Sequence, residues 1–155
     1  VAGLESLYRD LILDHAKFPQ GDGLAEPFEG ESHQVNPTCG DEVTVRVHRD
    51  DDAGLVVTHA GHGCSISRAA ASVMVEAVDG ADVAGAHVRF AAFHALVTGG
   101  DVPADAEALL GDGVAFAGVA RYPMRVKCAL LPWMGLRDAL LHLPDSAAHS
   151  TGASA

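Results

Sequence analysis

Positive charge is scarce in this chain. Lys plus Arg number 10 against 21 Asp plus Glu, a formal net charge of -11 over 155 residues. So acidic a surface repels nucleic acid and anionic lipid, so neither is an expected partner. It suits approach to a basic protein surface. Cysteine is also sparse, with three in all. Three cannot all pair with one another, and they do not read as the disulfide framework of a small secreted protein. No apolar run is long enough to span a bilayer, and the first residues, VAGLESLYRD, carry no basic-then-apolar export signal. No membrane is expected, and a reducing, cytoplasmic compartment is. Aromatics make up 5% of the residues, no internal repeat is evident, and no Ser–His–Asp or His–Glu pattern supports a hydrolase.

What is present fits one domain over residues 1–143, long enough to bury a core, and then a small polar tail over 144–155, PDSAAHSTGASA, expected to be disordered. GLESLYRDLILDHAKFP places Leu4, Leu7 and Leu11 at helical spacing until Pro19 stops it. QGDGLAEPFEG reads as a turn-rich connector. In DEVTVRVHRDD, Val43, Val45 and Val47 alternate with polar residues, the pattern of a half-buried strand. DDAG turns the chain into LVVTHAGHG, a second strand in hairpin with the first. SISRAAASVMVEAV is a helix capped by Ser65 or Ser67, with alanines that allow close approach to the sheet. Residues 82–110 read as helix in pieces, broken by TGGDVP. GVARYPMR reads as a loop, and VKCALLPWMGLRDALLHL as a last apolar helix with Pro132 near its first turn. Two or three strands beside several helices make the class α+β.

The three cysteines all fall near predicted element ends. In NPTCGD, Cys39 and Asp41 stand at i and i+2 at the start of a strand, so an extended backbone would point both side chains the same way. Cys64 lies between a strand and a helix start, where backbone amides favour anionic sulfur. Cys128 precedes an apolar helical run. Tetrahedral Zn²⁺ takes four ligands, and Cys39, Asp41, Cys64 and Cys128 supply four. Three thiolates and a carboxylate would leave such a site negative, and Arg125 and Lys127 flank Cys128 as compensating charge. With no close CxxC pair, the spacing leaves two other readings open: three unrelated free thiols, or a permanently closed structural site.

NPTCGDEV, GHGCSISRAAASVM and RVKCALLPW resemble the signatures of the NifU-like iron–sulfur cluster assembly family, over about Leu4 to His142. The resemblance implies an α+β fold, a small antiparallel sheet with helices packed on one side. Its three cysteines match Cys39, Cys64 and Cys128, and its aspartate matches Asp41. The branch that builds [2Fe–2S] clusters has a histidine just before the third cysteine, and here that residue is Lys127. The lysine, and extra sequence between the second and third cysteines, are similar to the SufU branch. That branch binds zinc at these four residues and relays persulfide sulfur from a cysteine desulfurase of the SufS type, with a downstream Suf scaffold complex as recipient. The resemblance implies that a desulfurase histidine displaces Cys39 from zinc and that Cys39 then accepts sulfur. Arg125 is the candidate catalytic cation beside it. Two other roles stay open: a [2Fe–2S] scaffold, or a zinc-stabilised adaptor of the desulfurase.

Other residues carry weaker signals. His62, two residues before Cys64, reads as loop packing more than as a ligand. His15 ends the first helix, where the dipole favours a cation. Tyr8 and Arg9 are candidate partner contacts, and Trp133 reads as core.

Overall fold

The computed structural model describes residues 2–144, with side chains from residue 6 onward. Residues 145–155 of the predicted tail lie outside the described residues. The elements are α1 (Ala2–Lys17), β1 (Gly30–Asn36), β2 (Asp41–Arg49), β3 (Leu55–His62), α2 (Ser65–Val78), α3 (Val83–Thr98), α4 (Ala106–Leu110), a 3-10 helix (Gly111–Arg121) and α5 (Pro123–Leu141). The α+β expectation holds: one three-stranded antiparallel sheet, order β1–β2–β3, with α5 against β1 and β2, α2 against β3, and the other helices packed on these.

The valine alternation in β2 buries Val43, Val45 and Val47 and leaves the intervening residues half-buried. β3 pairs with β2 as the hairpin predicts, His48 facing Val56 and Glu42 facing His62. β1 is the strand that hydrophobic periodicity misses. Its inward residues include Gly30, Ser32 and Asn36, so it shows no apolar alternation, and its partner β2 rather than its own sequence makes it a strand. On the outer face Arg46 pairs with Glu31 at 2.7 Å and lies over the Phe28 ring.

The helices differ from expectation at three points. α2 begins at Ser65, but its cap is Cys64, and neither Ser65 nor Ser67 caps it. Ser67 instead donates its hydroxyl to the Cys64 carbonyl at 3.1 Å. The alanines Ala69, Ala70 and Ala71 are buried where α2 packs between α1 and α5, and α2 reaches the sheet through β3. GVARYPMR is not a loop: it ends the 3-10 helix and starts α5, with Pro123 in the first turn, where a missing N–H costs nothing. Pro132 therefore lies in the middle of α5. Trp133 is core, stacked on Phe93 at 4.5 Å between centroids, with Phe116 edge-on to Phe93. Burying each such ring contributes roughly 2–3 kcal/mol.

Candidate metal centre

The site forms where the β1–β2 turn, the start of α2 and α5 meet. Asn36 and Asp41 are the last pair of the β1–β2 ladder, so Pro37 to Gly40 make the turn. Gly40 has φ 74°, the left-handed region a side chain disfavours, and its N–H donates to the Asn36 carbonyl at 2.9 Å. Cys39 is thus in a turn and not in extended backbone, and the turn, not strand alternation, brings it beside Asp41.

Asn36 is the site residue that the sequence analysis passes over. It is buried, its Oδ1 accepts the Thr38 N–H at 3.2 Å, and its Nδ2 donates to Cys39 Sγ at 3.0 Å. The signal available was the asparagine opening a Pro-containing turn, a position where Asn closes a loop through its side chain.

Asp41 opens β2 and is 1% exposed. Its Oδ1 accepts the Cys64 N–H at 2.8 Å, and its Oδ2 lies 3.6 Å from Cys64 Sγ. Gly63 is what permits this approach, since a Cβ there would stand 2.6 Å from both Asp41 Oδ1 and Ser67 Oγ. Cys64 is exposed. Cys128 is not at a helix start as predicted. It is the sixth residue of α5 and buried, because α5 begins at Pro123. Its Sγ lies 3.3 Å from Cys39 Sγ. Burial pushes the Cys128 thiol far up from its ordinary value. Hydrogen bonds with Cys39, Asp41 and Cys64, and the Cys64 charge, push the same way.

Donor atoms of Cys39, Asp41 and Cys128 all lie within 4.8 Å of one another, and Cys64 joins the group through Asp41. Sulfurs sharing a tetrahedral zinc stand about 3.8 Å apart, and a sulfur and an oxygen about 3.6 Å. The 3.3 Å and 3.6 Å separations here lie within half an ångström of those values. Cys39, Asp41 and Cys128 therefore suit three corners of a thiolate-rich tetrahedral ion, and Cys64, outside their 4.8 Å group, would have to swing inward to supply the fourth.

Arg125 is exposed, one turn before Cys128, with its guanidinium 4.9 Å from the Tyr122 ring centroid. Among the described residues no hydrogen bond joins it to a cysteine. Lys127 is exposed too. His62 pairs with Glu42 at 3.1 Å, and the metal-capable cysteine group contains no histidine among the described residues. His15 is buried and hydrogen-bonded on both ring nitrogens, not a free cation at a helix end. No helix among the described residues is long and apolar enough to cross a membrane.

The chain is 38% identical over 142 residues to the zinc-dependent sulfurtransferase SufU of Bacillus subtilis (strain 168), covering 90% of this chain and 92% of that one. It is 37% identical over 137 residues to the iron–sulfur cluster assembly scaffold protein IscU of Streptococcus pyogenes serotype M1, covering 88% and 84%. The crystal structure of FiSufU from Fervidobacterium islandicum AW-1, assigned to the SUF system, superposes with a TM-score of 0.78 at 35% identity, over 88% of this chain and 98% of that one. The N-terminal part of a NifU-like protein from Brucella abortus superposes with a TM-score of 0.76 at 26% identity, over 89% and 94%. The family model for the NifU-like N-terminal domain matches residues 7–129, a span that holds all three cysteines and ends one residue past Cys128. By this match and these relatives, the chain belongs to the NifU-like N-terminal domain family of iron–sulfur cluster assembly proteins.

Proposed function

We propose that this protein is a zinc-dependent sulfur acceptor that takes persulfide sulfur from a cysteine desulfurase of the SufS type for iron–sulfur cluster biogenesis. One observation carries the reading: Cys39 is exposed on a glycine-hinged turn, yet its sulfur meets buried Cys128 and Asp41. Cys39, Asp41, Cys64 and Cys128 are the residues that would hold zinc, which supplies a Lewis-acidic ion that keeps the thiols deprotonated.

The transfer itself needs only sulfur chemistry. The Cys39 thiolate attacks the outer sulfur of the desulfurase persulfide. The S–S bond of the donor breaks, its electron pair leaves on the desulfurase cysteine, and Cys39 carries the persulfide. Asn36 donates to the Cys39 sulfur and steadies its charge. Arg125, one turn before Cys128, supplies positive charge at the rim. Cys64 is less suited to carry sulfur, since it caps α2 and its N–H is tied to Asp41. Cys128 is less suited because it is buried in α5.

The test is mass spectrometry after incubation with desulfurase and free cysteine. One added sulfur should map to the Cys39 peptide, and Cys39→Ser should abolish stimulation of the desulfurase while still binding it. Sulfur on Cys64 or Cys128, or full stimulation by Cys39→Ser, would overturn the relay. The Streptococcus relative is named as a scaffold at nearly the same identity, which favours a second reading as a cluster scaffold. That reading requires anaerobic reconstitution with iron and sulfide to give visible absorption. In the same spirit, Asp41→Ala should lose zinc to a chelator faster than wild type.

A further inference from the structure

Away from the cysteines, three side chains from three elements aim donor atoms at one point. His15 comes from α1, Glu76 from α2 and Asp112 from the 3-10 helix. His15 Nε2 lies 2.9 Å from Asp112 Oδ2 and 3.7 Å from Glu76 Oε1, and the three donor atoms all lie within 4.8 Å. Nitrogen and oxygen ligands of one tetrahedral zinc stand about 3.4 Å apart, so these separations straddle the required one.

The surroundings fit a ligand histidine. The His15 side chain is 9% exposed, which fixes the ring, while those of Glu76 and Asp112 are 39% and 43% exposed and leave water an approach. His15 Nδ1 meets Ser72 Oγ at 2.6 Å, and the same oxygen accepts the Gln20 N–H at 2.8 Å. A hydroxyl oxygen has two acceptor lone pairs. Ser72 can accept from both Gln20 N–H and His15 Nδ1–H at once, and in that tautomer Nε2 bears no proton, so a bound ion would replace its hydrogen bond to Asp112 Oδ2. A metal-bound histidine needs this kind of partner on its other nitrogen. A cavity of about 270 Å³ is lined by Glu76, Ala77, Arg89 and residues 108–111.

We propose that His15, Glu76 and Asp112 form a second divalent-cation site, separate from the cysteine site. One neutral imidazole and two carboxylates balance a 2+ ion, in contrast to the negative thiolate set. The donors are harder than thiolates and suit Zn²⁺, Mn²⁺ or Fe²⁺. The bound ion ties the 3-10 helix, which lies between the second and third cysteines, to α1 and α2.

Zn²⁺ is the probe, with the full chain. Wild type, Glu76→Gln and Asp112→Asn are equilibrated with excess Zn²⁺, desalted and assayed for zinc by mass spectrometry, with thiol alkylation run in parallel. Both substitutions keep side-chain size and hydrogen bonding, so the fold should persist. Wild type should retain one zinc equivalent more than either variant, and the cysteines should be equally protected from alkylation in all three. The readout is this difference, so it stands whether or not the cysteine site binds zinc. Equal zinc in all three proteins, or thiols unmasked by Glu76→Gln or Asp112→Asn, would overturn the site.

Discussion

The side chain of Asn36 acts on the turn and on the thiol together, accepting the Thr38 N–H and donating to Cys39 Sγ. Asn36→Ala should lower stability by about 1 kcal/mol, the net worth of such a hydrogen bond, and should slow sulfur uptake by Cys39. Asn36→Asp keeps the Thr38 acceptor but loses the donor and buries a negative oxygen beside sulfur, so it should lower stability further and also lose uptake. Urea midpoints and a timed persulfide assay separate the two effects. Gly63 acts by being absent. Gly63→Ala sets a methyl 2.6 Å from Asp41 Oδ1 and Ser67 Oγ, so Asp41 must move. Zinc release to a chelator should speed up roughly tenfold, the low end of the effect of disturbing the groups that orient ligands. An unchanged release rate would show that Asp41 does not hold the ion.

At the scale of elements, α5 carries both Cys128 and Pro132. Proline has no N–H, so residue 132 returns no hydrogen bond to the Cys128 carbonyl four residues back, and its ring crowds that carbonyl. One helical hydrogen bond is therefore missing at the carbonyl of Cys128, the residue that presents its Sγ to Cys39. Pro132→Ala restores the missing bond and a better helix former, a gain of up to about 3 kcal/mol. The expected outcome is a higher melting temperature together with weaker zinc retention, since the turn that positions Cys128 tightens. A variant that gains stability with unchanged zinc retention would show that the proline does not set the sulfur's position. The β1–β2 hairpin presents Cys39 and Asp41 in the complementary way, by a four-residue turn fixed at Gly40.

For the whole molecule, the candidate centre joins the sheet hairpin to the start of α2 and the second turn of α5. Part of the metal's binding energy is then folding energy. Chelated protein should melt well below zinc-loaded protein, and equal calorimetric midpoints would mark the site as peripheral to the fold. A second global effect runs through His59. It is buried on β3, with Nε2–H donating to the Gln20 carbonyl at 2.8 Å, while its backbone bonds Gly21 and Gly23 of the connector. Burial holds its pKa below the ordinary value, outweighing the Gln20 hydrogen bond. The fold therefore favours neutral His59. The unfolded chain takes up a proton first, as pH falls below about 6.5, and stability declines from there downward. His59→Gln should flatten the stability–pH slope below that point relative to wild type, as read from urea midpoints. Parallel slopes would place the titration elsewhere.

The sequence by itself determined the elements whose own side chains carry the needed periodicity or turn chemistry. The Val43–Val45–Val47 alternation made β2, the apolar run made most of α5, and Pro19 ended α1. It also exposed the candidate ligands, because cysteine is rare in this chain and each one sits in a distinctive motif. Tertiary structure decided what depends on a neighbour. β1 is a strand because β2 pairs with it, its inward Ser32 and Asn36 giving no apolar signal. Asn36 reaches Cys39 through a turn that only the finished hairpin closes, and Cys128 is buried inside α5 because that helix starts at Pro123 and packs on the sheet. His15 reads as a terminal cation from its place in α1, but α2 and the 3-10 helix close over it and set Ser72 and Asp112 on its two nitrogens. Local pattern governs backbone conformation residue by residue, whereas a site depends on which distant side chains packing brings within a few ångströms.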